Sequence, residues 1–161
     1  MNLRLASTAA ILLLLCILGC DSPPWSRFII ANTSQTDVTV RFYVPTTTVL
    51  ASPCLYSAEE WKKDALSCSG TPRNKFTMNE KELWIETILP PGGAVEIDRA
   101  RYPDVEENVN SNFLIDRLDI HGQSGDISWA GRREVFSHLQ KEGGPFWFVS
   151  GTSPRYVYYY K

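Results

Sequence analysis

Short segments of alternating apolar and polar residues are the strongest structural signal in the chain. Between positions 38 and 44 every second residue is apolar while Thr39 and Arg41 lie between them, the period of a strand with one buried face. We expect one buried set at Val38, Val40, Phe42 and Val44. The apolar run 28–31 comes just before, and the intervening 32–37 is rich in turn formers, so we predict that these two strands pair as a hairpin.

Three further pairs of apolar segments flank turns rich in Gly, Pro or Ser. The paired segments are 82–89 with 94–98, 113–121 with 126–129, and 146–149 with 155–160. Gly and Pro at these positions break regular elements and reverse the chain. Many short strands at this spacing predict a mainly β fold, an antiparallel β-sandwich or open barrel.

Two segments instead have helical spacing, at about 57–66 and 132–141. Ser57 and Glu60 have the spacing of a capping box, and Trp61 is the expected core anchor of the first helix. Glycines and a proline after Lys141 end the second. The polar stretch 104–112 lacks the spacing and central glycine of a calcium loop, so we predict a mobile loop there.

The beginning of the chain differs from the rest in being continuously apolar. A leader with one charge, Arg4, runs into the apolar segment 9–18, which is followed by Gly19, Cys20 and Asp21. As a helix this run spans about 15 Å, roughly half the hydrocarbon thickness of a bilayer. Residues 1–19 are therefore predicted to be a secretory signal peptide, not a transmembrane helix.

The end of this segment, Ile17-Leu18-Gly19-Cys20, resembles the lipobox of bacterial lipoproteins. The resemblance implies cleavage before Cys20, transfer of diacylglycerol to its thiol and acylation, commonly with palmitate, of the new amino group. Asp21 resembles the enterobacterial signal for retention in the inner membrane, which slightly favours that membrane over the outer one. Residues 20–26 then form a lipidated tether, and 27–161 form one β-rich domain in the periplasm or outside the cell.

Export also bears on the remaining cysteines. Cys16 leaves with the signal peptide and Cys20 carries lipid, so Cys54 and Cys68 remain and are predicted to form one disulfide in an oxidising compartment. Such a crosslink contributes about 3 kcal/mol in the chain-entropy picture. Zinc is the alternative, but it needs more Cys or His ligands nearby. We predict no metal and no cofactor.

The charge balance limits the partners. The chain has 16 Lys and Arg against 18 Asp and Glu, and loss of Arg4 with the leader leaves 15 − 18 = −3. No contiguous basic block is present that would neutralise nucleic acid phosphates. The expected partners are the lipid bilayer, through Cys20, and an unknown envelope protein or ligand.

Candidate catalytic groups are few. His121 and His138 lie outside any recognisable motif, and Asp116 and Asp119 are expected on opposite faces of one strand. We predict that no nucleophile, base and orienting group lie within hydrogen-bond reach of one another in a pocket. The chain is thus predicted to be a non-enzymatic binding or envelope-assembly module, with a small envelope hydrolase as the alternative.

Aromatic residues are the other possible source of function. Three tryptophans and the run 156–160 fall on predicted strands, namely Trp84, Trp129, Trp147 and Tyr156-Val157-Tyr158-Tyr159-Tyr160. Such residues usually fill the core, while several exposed on one face would form a sugar- or peptide-binding platform.

Overall fold

In the part of the chain that the structure describes, two five-stranded sheets make up the fold. A computed structural model describes residues 25–45, 53–62, 75–101, 104–143 and 154–161. Sheet A contains β1 (Trp25–Asn32), β3 (Cys54–Tyr56), β6 (Ala94–Arg101), β9 (Gln140–Glu142) and β10 (Arg155–Tyr160). Sheet B contains β2 (Val38–Tyr43), β4 (Thr77–Asn79), β5 (Trp84–Leu89), β7 (Arg117–His121) and β8 (Ile127–Ala130). The strand orders are β3-β6-β1-β10-β9 and β4-β5-β2-β7-β8.

The inner faces of the two sheets share one apolar core. Phe28 and Ile30 of sheet A pack in the same cluster as Leu118 and Ile120 of sheet B. The alternating set Val38, Val40, Phe42 and Val44 is buried as predicted, while Thr39 and Arg41 on the other face are partly exposed. The mainly β sandwich with short helices is therefore confirmed.

Two of the predicted strand pairs are wrong. β1 and β2 do not form a hairpin, because the segment after Asn32 carries the chain from sheet A to sheet B. The buried Asn32 amide nitrogen makes this corner by donating to the carbonyl oxygens of Thr36 and Leu89, at 2.8 and 2.9 Å. The Pro-Gly turn after Leu89 also changes sheets, so β5 and β6 are unpaired.

Other connections follow the expected pattern. β7 and β8 form the predicted antiparallel hairpin, with Leu118 opposite Trp129. Its turn packs tightly, because a Cβ on Gly122 would lie 2.6 Å from the Tyr160 hydroxyl. β10 joins sheet A parallel to β1, an arrangement that pairs the two ends of the described chain and departs from a purely antiparallel sandwich.

Four short helices lie in the described ranges: α1 (Ala58–Lys62), α2 (Asp104–Glu107), α3 (Val109–Asn112) and α4 (Arg132–Ser137). The capping box of α1 is confirmed, since the Ser57 backbone N–H donates to Glu60 Oε2 at 2.8 Å and the Glu60 N–H donates to Ser57 Oγ at 3.3 Å. The predicted end of the second helix is wrong. α4 stops at Ser137 because residues 140–142 pair with β10 instead.

The stretch 104–112 is not a loop but forms α2 and α3. Val105 is fully buried in the core, and the Asn108 side chain caps α3 by accepting from the Ser111 N–H. Several predictions fall outside the described residues: the signal peptide and Cys20, the strand at 146–149, the Trp61 side chain, Trp147 and Cys68.

Candidate functional site

The side of sheet B that faces away from the core carries an ordered set of aromatic and charged residues, which we call the outer face of sheet B. Strand register places Tyr43 between Trp84 and Arg117, and it places Arg41 between Glu86 and Asp119. Because side chains alternate along each strand, all six point away from the core. The face therefore has an aromatic row beside a charged row.

In the aromatic row, guanidinium groups lie over ring faces. The Arg41 Cζ is 4.4 Å from the centroid of the Trp84 ring, and the Arg117 Cζ is 5.1 Å from that of Tyr43. The Trp84 indole N–H also donates to Glu82 Oε2 at 2.8 Å, which holds the ring in place. Cation–π pairs of this kind contribute about 0.5–1 kcal/mol each when exposed. Tyr43 and Trp84 are both partly buried.

In the charged row, each group is held by a neighbour on the next strand. Arg41 Nε and Nη2 both donate to Glu86 Oε2, at 2.9 and 2.6 Å. This hydrogen bond raises the pKa of Arg41. Ser128 Oγ and Arg117 Nε donate to Asp119 Oδ1, at 2.6 and 3.0 Å.

Asp119 is the most buried acid of this face, with 6% of its side chain exposed. Burial alone raises the pKa of this carboxyl, but the hydrogen bonds from Ser128 and Arg117 outweigh it and hold the pKa below its usual value. Asp119 is therefore ionised near neutral pH and serves as a fixed acceptor.

Two arginines and two carboxylates balance each other in this set. A ligand on the face meets rigid donors and acceptors together with two ring faces, but no net charge from these four groups. Such chemistry suits a neutral ligand with many hydroxyl or amide groups.

Neither histidine belongs to these rows, although His121, opposite Thr39, lies on the same outer face. His121 ends β7 with its side chain 48% exposed, and its Nδ1 lies 3.2 Å from Asp126 Oδ1. The His138 ring stacks on Trp129 at 4.2 Å between centroids and 9° between planes. Within the described residues, no group of three His, Cys, Asp or Glu side chains is placed to hold a metal ion.

The aromatic residues divide between core and surface. Trp129, Tyr156 and Tyr160 are buried in the shared core, which is the usual use of aromatics on sheets. Trp84 is the tryptophan of the predicted set that faces outward on sheet B. Sequence reasoning missed Tyr43, Arg41 and Arg117 as site residues, although their outward positions in alternating strands were a usable signal.

The predicted disulfide can be followed at one end. Cys54 begins β3, is 5% exposed and lies opposite Glu96 of β6. Its sulfur is disulfide-bonded. Cys68 lies outside the described residues, so the pairing of these two cysteines stays a prediction.

Comparison with known proteins adds no relative: no protein-family model, curated protein or solved structure matches the chain. No helix among the described residues is long and apolar enough to span a membrane. The described residues therefore form a β-sandwich with a polar and aromatic outer face on sheet B.

Proposed function

We propose that this protein is a lipid-anchored binding module of the bacterial cell envelope that takes its ligand on the outer face of sheet B. The anchor is an acylated Cys20, and the domain lies in the periplasm or outside the cell, with the inner membrane favoured over the outer. The lipobox-like run before Cys20 supports the anchor. The disulfide-bonded state of Cys54 is in keeping with an oxidising compartment.

The observation that carries the binding role is the Arg41–Trp84 pair beside Tyr43. Tyr43 and Trp84 are partly exposed, while Glu86 and Glu82 hold the guanidinium and the indole in place. Preorganised aromatic and polar groups bind with little loss of side-chain entropy. The ligand class that fits is a neutral glycan or an extended, uncharged peptide segment.

A binding panel tests this assignment. Isolated protein is titrated with soluble envelope glycans and uncharged peptides while intrinsic tryptophan fluorescence and ligand retention are measured. Trp84→Ala is expected to weaken binding at least about tenfold, the usual cost of losing a central aromatic anchor. Ile88→Ala is the matched control, because Ile88 lies on the same face, is 61% exposed and is outside both rows. Equal affinity of the Trp84 variant and the parent would show that the outer face of sheet B does not bind the ligand.

The anchor has its own test. Cys20→Ser is expected to leave an unprocessed precursor without acyl label, whereas the parent carries label after growth with a radioactive or clickable fatty acid. Mass spectrometry that finds a free Cys20 thiol in the mature parent protein contradicts the anchor but leaves the binding face untouched.

The alternative of a small envelope hydrolase has one observation in its favour, the contact between His121 and Asp126 at 3.2 Å. A carboxylate beside a histidine is part of several hydrolytic sites. Both side chains are well exposed, at 48% and 71%. His121→Ala should therefore leave any hydrolytic activity of the purified protein unchanged, and loss of an activity in that variant would favour the hydrolase.

A further inference from the structure

On sheet A, the first residues of β1 lie in an arginine-rich region. Register places Arg27 directly beside Arg99 of β6 and Arg155 of β10, and it places Trp25 beside Arg101. All five side chains lie on the side of sheet A that faces away from sheet B, because Phe28, Ala100 and Tyr156, at the alternate positions, belong to the core. We call this set the arginine edge: Trp25, Arg27, Arg99, Arg101 and Arg155.

Like charges on adjacent strands cost stability unless something balances them. Glu96 partly balances the row, with its Oε1 2.6 Å from Arg99 Nη2 and its Oε2 3.9 Å from Arg27 Nη1. Glu142 Oε2 lies 3.2 Å from Arg155 Nη2. Four arginines and two glutamates leave a formal charge of 4 − 2 = +2 on these residues, in a mature chain whose formal charge is −3. These six side chains thus carry a positive formal charge within an acidic chain.

The edge is also open and amphipathic. Trp25 is 47% exposed and 5.8 Å from the Arg101 guanidinium, which is itself exposed. The Arg99 side chain is 40% exposed. Tryptophan beside arginine is the combination that settles at the headgroup level of a bilayer, the indole in the interface and the guanidinium on phosphate.

The position of the edge along the chain identifies what would cover it. Only residues 21–24 separate Trp25 from Cys20, and five residue steps span at most about 18 Å. An acylated Cys20 therefore keeps Trp25, at the start of the arginine edge, within about 18 Å of the lipid-bearing residue.

We propose that the arginine edge docks on anionic phospholipid headgroups and so orients the anchored domain. Guanidinium groups of Arg99 and Arg101 bind lipid phosphate, and Trp25 enters the interface. Because the two outer faces lie on opposite sides of the sandwich, docking directs the outer face of sheet B away from the bilayer. This inference rests on the lipid anchor of the proposed function.

Depth-dependent quenching of Trp25 tests the docking. The mature acylated protein is reconstituted into vesicles of phosphatidylcholine, or of phosphatidylcholine with 30% phosphatidylglycerol, containing brominated lipid. Quenching is expected to be at least twofold stronger with phosphatidylglycerol, and this gain should disappear in Trp25→Phe, which removes one of the five tryptophans. Arg101→Gln should lower the equilibrium constant for docking on phosphatidylglycerol vesicles about fivefold, the factor for one arginine near an anionic surface. High salt should abolish the gain.

Arg133→Gln is the matched control, since Arg133 is an exposed arginine on α4, outside the arginine edge. It is expected to behave as the parent. Equal quenching in both vesicle types, or an equal gain in Trp25→Phe, overturns the docking. Protection of Trp25 from iodide in native envelopes but not in lipid vesicles also overturns it, because the occupant is then a protein. The acyl state of Cys20 is read separately by mass spectrometry, so an acylated protein that fails to dock refutes the docking alone.

Discussion

The outer faces of the two sheets differ in what covers them. On sheet A, the residues at the centre of the face are buried: Ile29, Ala31, Ala94 and Val157 are at most 1% exposed and form a second apolar cluster. On sheet B, the corresponding face carries partly exposed rings and ion pairs, and Ile88 on it is 61% exposed.

A pair of glutamate and arginine occurs on both outer faces, but its surroundings differ. Glu96 on sheet A is 5% exposed and accepts hydrogen bonds from Tyr56 Oη and Arg99 Nε, both at 2.7 Å. Glu86 on sheet B binds Arg41, but its side chain is 24% exposed. Burial makes the Glu96 carboxylate a structural acceptor, although Arg99 itself is 40% exposed, whereas Glu86 and Arg41 are both partly exposed. Burial of Tyr56, and then its bond to Glu96, also raises the pKa of that phenol.

The largest difference is expected from truncating one isoleucine on each face. Ile29→Ala should lower the free energy of unfolding by about 3 kcal/mol, because a fully buried side chain leaves a cavity. Ile88→Ala should change it by less than about 0.5 kcal/mol. Urea unfolding followed by circular dichroism measures both. Equal losses would mean that the two outer faces are equally covered.

The next largest difference in stability is expected from replacing the glutamate of each pair. Glu96→Gln should cost about 2–3 kcal/mol, since the buried Glu96 carboxylate accepts hydrogen bonds from both Tyr56 and Arg99. Glu86→Gln should cost less than about 1 kcal/mol, because its pair with Arg41 is partly solvated. Thermal unfolding of the two variants provides the measurement. A larger loss for Glu86 would reverse the assignment of structural and accessible faces.

Acid should act on sheet B through Asp119. Its folded-state pKa is lowered, so its contribution to stability is complete above the unfolded value of about 3.9 and is lost as pH falls through the folded pKa. Asp119→Asn should cost about 1 kcal/mol at neutral pH and flatten the fall in stability below pH 4. Unfolding between pH 2 and pH 7 gives this profile. Ser128→Ala should partly reduce the same fall in stability below pH 4. An unchanged fall in both variants contradicts the prediction.

Alkali should act on sheet A through Tyr159. Burial and a hydrogen bond to Glu142 raise the pKa of Tyr159 to about 12. Stability tied to this phenol is complete below its unfolded pKa of about 10 and is lost as pH rises toward 12. Tyr159→Phe should reduce that loss by less than about 1 kcal/mol, because the ring is partly solvated. Unfolding at pH 9 to 12 measures this loss of stability. An identical loss in the variant and the parent would contradict the prediction.

Local sequence patterns predicted the elements better than their partners. The alternation at 38–44, the capping box of Ser57 and Glu60, and the β7–β8 hairpin all depend on residues close in the chain, and all three are confirmed. The segment after Asn32 is also a turn, as its composition predicts. Whether it returns the chain to the same sheet depends on its bond to Leu89, 57 residues away, which no local pattern contains.

The two proposed binding surfaces also depend partly on local sequence and partly on strand pairing. The sequence by itself determined the lipobox-like motif, the outward positions of Arg41 and Tyr43, and the absence of a contiguous basic block. Only the tertiary structure decided that Arg27, Arg99 and Arg155 lie side by side, because strands distant in the chain meet in sheet A. It likewise ended α4 at Ser137, where pairing of residues 140–142 with β10 replaced helical turns by a strand. Sheet register joins residues without regard to their separation along the chain, so charge clusters on a sheet arise from pairing and not from composition.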